Sequence, residues 1–402
     1  MREVAIVSPL RTPVGRFGGA FKTVSASDLG ATVVSALLER TGVDPERIDD
    51  VILGHGYPSG EEPAVGRLVG LKAGLPIETP GYQLDRRCSS GLQAILNAAM
   101  MVQTDNADVV IAGGVESMSN VEFYSTETRW GSRSGSITLH DRLTRARTTA
   151  SPEERVGYIS GMIETAENLA EQYDISREAQ DEYALRSHQC AVAAAESGHF
   201  ESEIVPVEVP QRRGDPVTVS QDEGPRADTS LERLSALRPV TEGGTVTAGN
   251  ASAQNDAAAM CLVVAADKLA ELNLEPMGYL RGWAAVGVHP AYMGIGPVPA
   301  VEKLQAKTNI ALADIDVVEL NEAFSSQVLA VLKGWGMDDH EEVDAKVNVN
   351  GSGISLGHPI AATGARILAT LLNEMERRDA RYGLESMCVG GGQGVAALFE
   401  RP

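Results

Sequence analysis

Aromatic residues make up only 4% of this 402-residue chain, and 34 lysines and arginines face 55 aspartates and glutamates. The resulting net charge of −21 argues against a general binder of nucleic acid or of anionic membranes. Only four cysteines occur, Cys88, Cys190, Cys261 and Cys388, far apart and without CxxC or Cys/His ligand spacing. That excludes a disulfide framework or a zinc module, and it points to a reducing, cytoplasmic setting with no metal. Nothing approaches the run of about 20 apolar residues that a spanning helix needs. The first residues, 1–7, are too short and too charged for a secretory signal and read as a strand. The last, 398–402, form no peroxisomal address.

Apolar residues reach 43% and charged ones 22%, with 41 glycines, which describes a globular α/β protein of two or three domains. The stretch 84–97 organises it. Polar residues run into Cys88, small residues follow, and Leu92, Ile95, Leu96, Ala99 and Val102 recur at helical spacing. Cys88 therefore stands at or just before a helix N-terminus, where free N–H groups and the dipole favour a thiolate. A buried structural cysteine in a Ser-Ser-Gly turn is the other reading that this stretch allows.

The same arrangement occurs twice. The run 48–55 matches 315–322, the helix after Cys88 matches one after His358, and the strand 109–114 matches 387–391, at offsets of 267, 270 and 278 residues. Three pairs in the same order indicate an internal duplication. Cys88 and His358 then hold equivalent strand-to-helix positions. Two facing halves bring them to one cleft as nucleophile and base.

Strand and helix patterns alternate over residues 1–120, with a strand at 4–8, a helix at 27–40 and a buried strand at 51–54. A βαβ series of this kind implies a parallel sheet covered by helices. Residues 119–150 are rich in Ser, Thr and Arg and read as loop. Ser151-Pro152-Glu153-Glu154 has the form of a capping box, and helices are predicted near 162–173 and 177–197. Short strands and turns fill 203–247. Residues 119–247 are thus an insertion into a first half made of 1–118 and 248–272, and 273–402 form the second half. Arg129, Arg133, Arg142, Arg145, Arg147 and Arg155, with Arg212, Arg213, Arg226 and Arg233, either build a cationic patch for an anionic ligand or balance nearby carboxylates.

Some motifs carry no function on this reading. The Gly351–Gly357 run imitates a dinucleotide loop, but its third glycine is one residue late and His358-Pro359 follows. His55, His140, His188, His199, His289 and His340 lack ligand spacing and default to surface or core roles. Three further stretches do concentrate chemistry at strand ends: Asn321-Glu322-Ala323-Phe324, Gly357-His358-Pro359, and Cys388 with the glycines after it.

Taken together these stretches resemble the thiolase family. The matching runs are RCSSGLQA at 87–94, AGGVESMS at 112–119, TAGNAS at 247–252, NEAF at 321–324, GHP at 357–359 and CVGGGQG at 388–394, with the run at 165–188. The resemblance implies an α/β fold of two αβαβα halves in five layers with an inserted loop domain. It implies acyl transfer between coenzyme A thioesters, which are substrates, with no cofactor. Cys88 would be the acylated nucleophile, His358 its activator and Cys388 the acid/base at the α-carbon. Asn321 would hold a water that, with His358, binds a thioester oxyanion; the N–H groups of Cys88 and Gly390 would form a second oxyanion hole. Arg226, Ala248 and Ser252 would line the coenzyme A channel, and Met162, Met293 and Phe324 the acyl end. The base is expected near neutrality. A homodimer or homotetramer is implied, without nucleic-acid or membrane partners.

The chain departs from the family pattern at Asp85, Gly161, Val240 and Ala361. A small residue at 240, if it lines the pocket, would admit longer or branched acyl chains. A β-ketoacyl synthase-like enzyme would carry a second histidine in place of Cys388, and a non-catalytic relative that binds coenzyme A or lipid would lack one of Cys88, His358 and Cys388.

Overall fold

The computed structural model describes residues 1–337 and 339–402. The chain opens with β1 (Val4–Arg11), α1 (Ala26–Thr41), β2 (Asp50–Gly54), α2 (Val65–Lys72), β3 (Gly81–Leu84), α3 (Ser90–Gln103) and β4 (Val109–Ser117). After α4 (Met162–Gln172) and α5 (Arg177–Glu196) it returns as β5 (Asn255–Ala265). It continues through β6 (Gly278–Gly287), α6 (Pro297–Thr308), β7 (Val317–Leu320), α7 (Ser325–Trp335), α8 (Thr363–Arg378), β8 (Tyr382–Val389) and β9 (Gln393–Glu400). Local chemistry sets several ends. The Ser25 side chain accepts from Asp28 N to start α1, and Gly42, at φ 64, stops it. Ser176 caps α5 by accepting from Ala179 N.

The strands form one sheet in the order β7-β8-β9-β6-β1-β5-β4-β2-β3. It is mixed, not parallel as the βαβ pattern implied. β2 runs parallel to β3 and β4, but β5 lies antiparallel between β4 and β1. The chain leaves β4 at Ser117 and re-enters opposite it at Asp256, and in the second half β9 turns back along β8 after a short turn, so the antiparallel step belongs to the repeated unit. Outward from β6, the order β9, β8, β7 repeats β5, β4, β2, and a parallel bridge from Val347 to Val318 stands where β3 pairs with β2. The duplication read from the sequence is visible in this repeated order. The two half-sheets join where Ala5 pairs with Tyr279 and Ile6 with Gly278.

Alternating side chains build the layers. Val110 and Val263 on one half-sheet, and Met387, Val395 and Phe399 on the other, enclose Leu92 and Ile95 of α3 with Ile367 and Leu371 of α8. The opposite face of the first half-sheet, including Val51 and Ile111, packs under α1 and α2. That of the second, including Leu384 and Leu398, packs under α6 and α7. Helix, sheet, helix pair, sheet, helix is the expected five-layered α/β body. Each fully buried Leu or Ile in the middle layer contributes about 1.5–3 kcal/mol. Two glycines let the central helices touch. A Cβ on Gly91 would lie 2.5 Å from Ala361 O, and one on Gly364 2.5 Å from Leu92 N. This contact brings the turn before α3 against the turn before α8.

The region 119–150 holds more structure than the predicted loop. Phe123–Tyr124 pairs with His140–Asp141, and Asp141 caps a short helix, Arg142–Thr148, by accepting from Leu143 N at 2.9 Å. The Ser151 capping box does not form. Only one turn follows, Glu153–Val156, and the residue in the cap position is Pro152, which has no side-chain acceptor to offer. Among the described residues no helix is long and apolar enough to cross a membrane.

Candidate active site

β3 delivers the chain to Asp85, whose Oδ1 accepts from Arg87 N at 2.7 Å. Arg87 adopts φ 47, in the left-handed region, and a 3-10 turn, Arg87–Ser89, leads into α3. Ser90 locks that turn: its Oγ accepts from Arg86 N at 2.8 Å and donates to Arg87 O at 2.7 Å. Cys88 is left at the head of α3 and buried. Its thiol is not depressed, as its place at the helix start suggested. Burial pushes its pKa up, and the Gly390 N–H, the Arg87 charge and the Cys88 N–H offset this only in part.

His358 sits in the equivalent turn before α8. Gly357 precedes it at φ 114, and a Cβ there would strike the Asn255 side chain at 2.7 Å. Asn255 Oδ1 instead accepts from His358 N at 2.9 Å, tying the turn to β5. The ring is pinned at both nitrogens. Nδ1 lies 2.6 Å from Thr363 Oγ1 and Nε2 lies 3.5 Å from Asn321 Nδ2. Burial, with repulsion from Arg366 and Arg147, lowers its pKa to about 3, so the imidazole is neutral. Asn321 is fully buried at the end of β7, and its Oδ1 has no partner.

Cys388 lies near the end of β8, ahead of Gly390 and two glycines in the left-handed region, Gly391 at φ 83 and Gly392 at φ 85. It is fully buried against Met293, Ala323 and Phe324. Burial and the neighbouring Cys88 hold its pKa well above the ordinary thiol value, not near neutrality. All four cysteines are free.

A cavity of about 210 Å³ joins these parts. Cys88, His358 and Gly390 line it, with Ser252, Met162, Met293 and Phe324. Cys388 and Asn321 lie behind that wall, the first against Met293 and Phe324, the second against His358. Arg226 and Ala248 line a second cavity of about 490 Å³. The two adjoin, because Ala251, Ala253 and Gln254 belong to both. The eleven residues that the resemblance assigned to catalysis and to substrate binding thus fall on or directly behind one continuous pair of hollows.

Profiles of two family domains match the chain, one described as "Thiolase, N-terminal domain" over residues 4–267 and one as "Thiolase, C-terminal domain" over residues 274–401. The chain belongs to the thiolase family. A probable acetyl-CoA acyltransferase of Staphylococcus aureus (strain COL) is 46% identical over 402 residues, covering all of both chains. An acetyl-CoA acetyltransferase of Chromobacterium violaceum is 47% identical over 403 residues, again covering all of both. Among solved structures, the Bacillus anthracis acetyl-CoA acetyltransferase superposes with a TM-score of 0.95 at 44% identity, and human mitochondrial 3-ketoacyl-CoA thiolase with 0.93 at 40%. Each match covers 100% of this chain and 99% of the other.

Within this thiolase, a further expectation fails. Val240 is 57% exposed and lines neither cavity, so its small size cannot widen the acyl site. Of the arginine-rich segments, Arg147 lines the first cavity, and Arg226 and Arg233 line the second. Arg129, Arg133, Arg155, Arg212 and Arg213 are exposed and line neither. His188, assigned no role from the sequence, is buried beside the second cavity with its pKa lowered to about 4 by burial.

The sequence reading also passed over two buried acids. Glu116 accepts from Gly56 N, Tyr57 N and Ala361 N at 3.0–3.1 Å, which fixes the loop after His358 to the loop after β2. Burial pushes its carboxyl up to about 7. Glu322 accepts from Tyr183, Ser187, Asn348 and Ile354. Glu116 lies inside the run at 112–119 and Glu322 inside the run at 321–324.

Proposed function

We propose that this protein transfers an acyl group between coenzyme A thioesters through an acyl-Cys88 intermediate. It does so by thiolytic cleavage of 3-ketoacyl-CoA or by Claisen condensation of two acetyl-CoA molecules. The observation that carries the reading is convergence: Cys88, His358 and the Gly390 N–H line one cavity, and Cys388 and Asn321 back it, although they come from opposite ends of the chain.

The proton inventory fits. In cleavage, His358 Nε2 takes the Cys88 proton and the sulfur attacks the ketone carbon. The bond to the α-carbon breaks, its electron pair forms the acetyl-CoA enolate, and the Cys388 thiol protonates that carbon. Coenzyme A then gives its thiol proton to the Cys388 thiolate, its sulfur attacks the acyl carbon, and the Cys88 sulfur leaves and regains its proton from His358, which returns all three side chains to their starting forms. The raised Cys388 pKa keeps its proton available for this donation. The Gly390 and Cys88 N–H groups face one oxyanion, and Asn321, through a water, with His358 the other. Each such donor is worth about 3–4 kcal/mol. No cofactor enters these steps.

Arg226, Ala248 and Ser252 hold coenzyme A in this reading, and Met162, Met293 and Phe324 surround the acyl group. The halves are 1–118 with 248–272, and 273–402, with 119–247 inserted between them. A cytoplasmic homodimer or homotetramer serving fatty acid metabolism completes the reading, without nucleic-acid or membrane partners. Four free thiols and a net charge of −21 support its setting. The open edge at β3, where Tyr82 is exposed, supports self-association. A cysteine at 388 disfavours a β-ketoacyl synthase, and the intact set disfavours a silent binder. Intact mass after incubation with acetyl-CoA tests the core claim. One added acetyl group is expected, and none in Cys88→Ala; an unchanged wild-type mass removes the reading.

A further inference from the structure

Among the described residues, the cavity that exposes Cys88 and His358 is lined by two arginines, Arg87 and Arg147, and by no aspartate or glutamate. In a chain of net charge −21 that is a pronounced local reversal. The two guanidiniums differ. Arg87 donates to Gly56 O at 3.1 Å and approaches Asp85 at 3.8 Å. Arg147 has no ion pair among the described residues, whereas Arg142 on the same short helix pairs with Glu122 at 3.1 Å.

The phosphates of coenzyme A have other cations to meet. The adjoining cavity has cations of its own, Arg16, Arg226 and Arg233, although Arg233 among them is paired with Asp228. Around Arg147 the wall is otherwise apolar, the Tyr57 hydroxyl being the polar group within hydrogen-bonding reach of its guanidinium. Tyr57, Met118, Ala146 and Ile360 line the cavity there and pack into one cluster with Leu143. Methylene groups suit that wall, and the guanidinium suits an anion beyond them. A methyl-ended chain would press an apolar group against a partly buried charge and leave it unpaired.

We propose that this site takes 3-ketoacyl-CoA substrates whose acyl chain ends in a carboxylate, with Arg147 pairing with that far end. The inference rests on the acyl-transfer reading of the site and adds the substrate class to it. A charge-assisted, two-pronged pair of this kind selects for geometry as well as for charge.

Thiolysis rates on two six-carbon 3-ketoacyl-CoA thioesters, one carboxylate-ended and one methyl-ended, test it. The wild type should prefer the charged substrate by about tenfold or more in kcat/KM, and Arg147→Gln should lower that preference by about tenfold. Arg147→Lys should retain part of it. Equal rates on both substrates in the wild type overturn the inference and leave the thiolase reading intact, whatever the variants do. Cleavage of neither substrate, with no acetylation of Cys88, overturns both.

Discussion

His358 Nδ1 lies 2.6 Å from Thr363 Oγ1, and the Thr363 hydroxyl also lies 3.2 Å from Pro359 O. If the hydroxyl proton goes to that carbonyl, its oxygen accepts from Nδ1–H. The neutral ring then carries its proton on Nδ1 and presents a lone pair at Nε2, on the side of Asn321. In the proposed mechanism Thr363 is thus a positioning residue that selects the tautomer able to receive the Cys88 proton.

Replacing the hydroxyl by a methyl group tests this. Thr363→Val keeps the side-chain shape and removes the acceptor. The acylation rate of Cys88 by acetyl-CoA should fall roughly ten- to a hundredfold, a part of what a lost general base costs. KM should change little. Thr363→Ser should restore most of the rate. A Val variant as fast as the wild type removes the tautomer argument.

In the proposed mechanism Cys388 separates the two half-reactions. Its thiol is fully buried and packs on Met293 and Phe324 behind the cavity wall, and the proposal has it serve the α-carbon but not the acyl carbon. Cys388→Ala should therefore still gain one acetyl group on Cys88. It should lose exchange of the acetyl-CoA α-protons with deuterated water, followed by NMR, by at least about a hundredfold. Normal exchange in this variant takes Cys388 out of the mechanism.

The pH profile follows from opposite displacements of a thiol and an imidazole. Burial raises the Cys88 pKa and lowers that of His358 to about 3. His358 therefore stays in its base form throughout the working range and adds no step near its ordinary pKa of about 6.5. The free enzyme's Cys88 loses its proton only on the alkaline side. Alkylation of Cys88 by iodoacetamide should rise with pH beyond the ordinary thiol range, with no inflection near neutrality. A plateau already reached at pH 6 is the result that excludes a raised thiol.

The parts of this site that local pattern controls were legible in the sequence. Cys88 and His358 each stand in a turn just before a helix whose apolar residues recur at 3.6-residue spacing, and the duplication relates them. What was not legible depends on distant partners. β5 is a continuous apolar run that fits either direction; only the re-entry opposite Ser117 makes it antiparallel. The Cys88 thiol was expected to be depressed because the helix start is visible in sequence, while the burial that outweighs it is tertiary. Ser151 has the right spacing for a cap, yet the helix after it lasts one turn. Val240 was placed by resemblance and lies on the surface.

Glu322 shows the same limit and yields the last prediction. It follows Asn321 directly and is fully buried. Oε1 accepts from Tyr183 Oη and Asn348 Nδ2, both at 3.0 Å, and Oε2 from Ser187 Oγ at 2.6 Å and Ile354 N at 3.1 Å. Two donors, Tyr183 and Ser187, come from α5 and two, Asn348 and Ile354, from the loop that leads to His358. A single carboxylate therefore joins three parts of the chain beside a proposed oxyanion donor. Glu322→Ala leaves these donors buried without an acceptor, at a cost of about 3 kcal/mol or more in denaturant unfolding. Glu322→Gln keeps one acceptor oxygen and should lose less. Because the change loosens Asn321 but touches no coenzyme A contact, kcat should fall more than KM rises in whichever variant stays folded. A variant that lost stability but kept kcat would make Glu322 a purely structural tie, with Asn321 held by β7 alone.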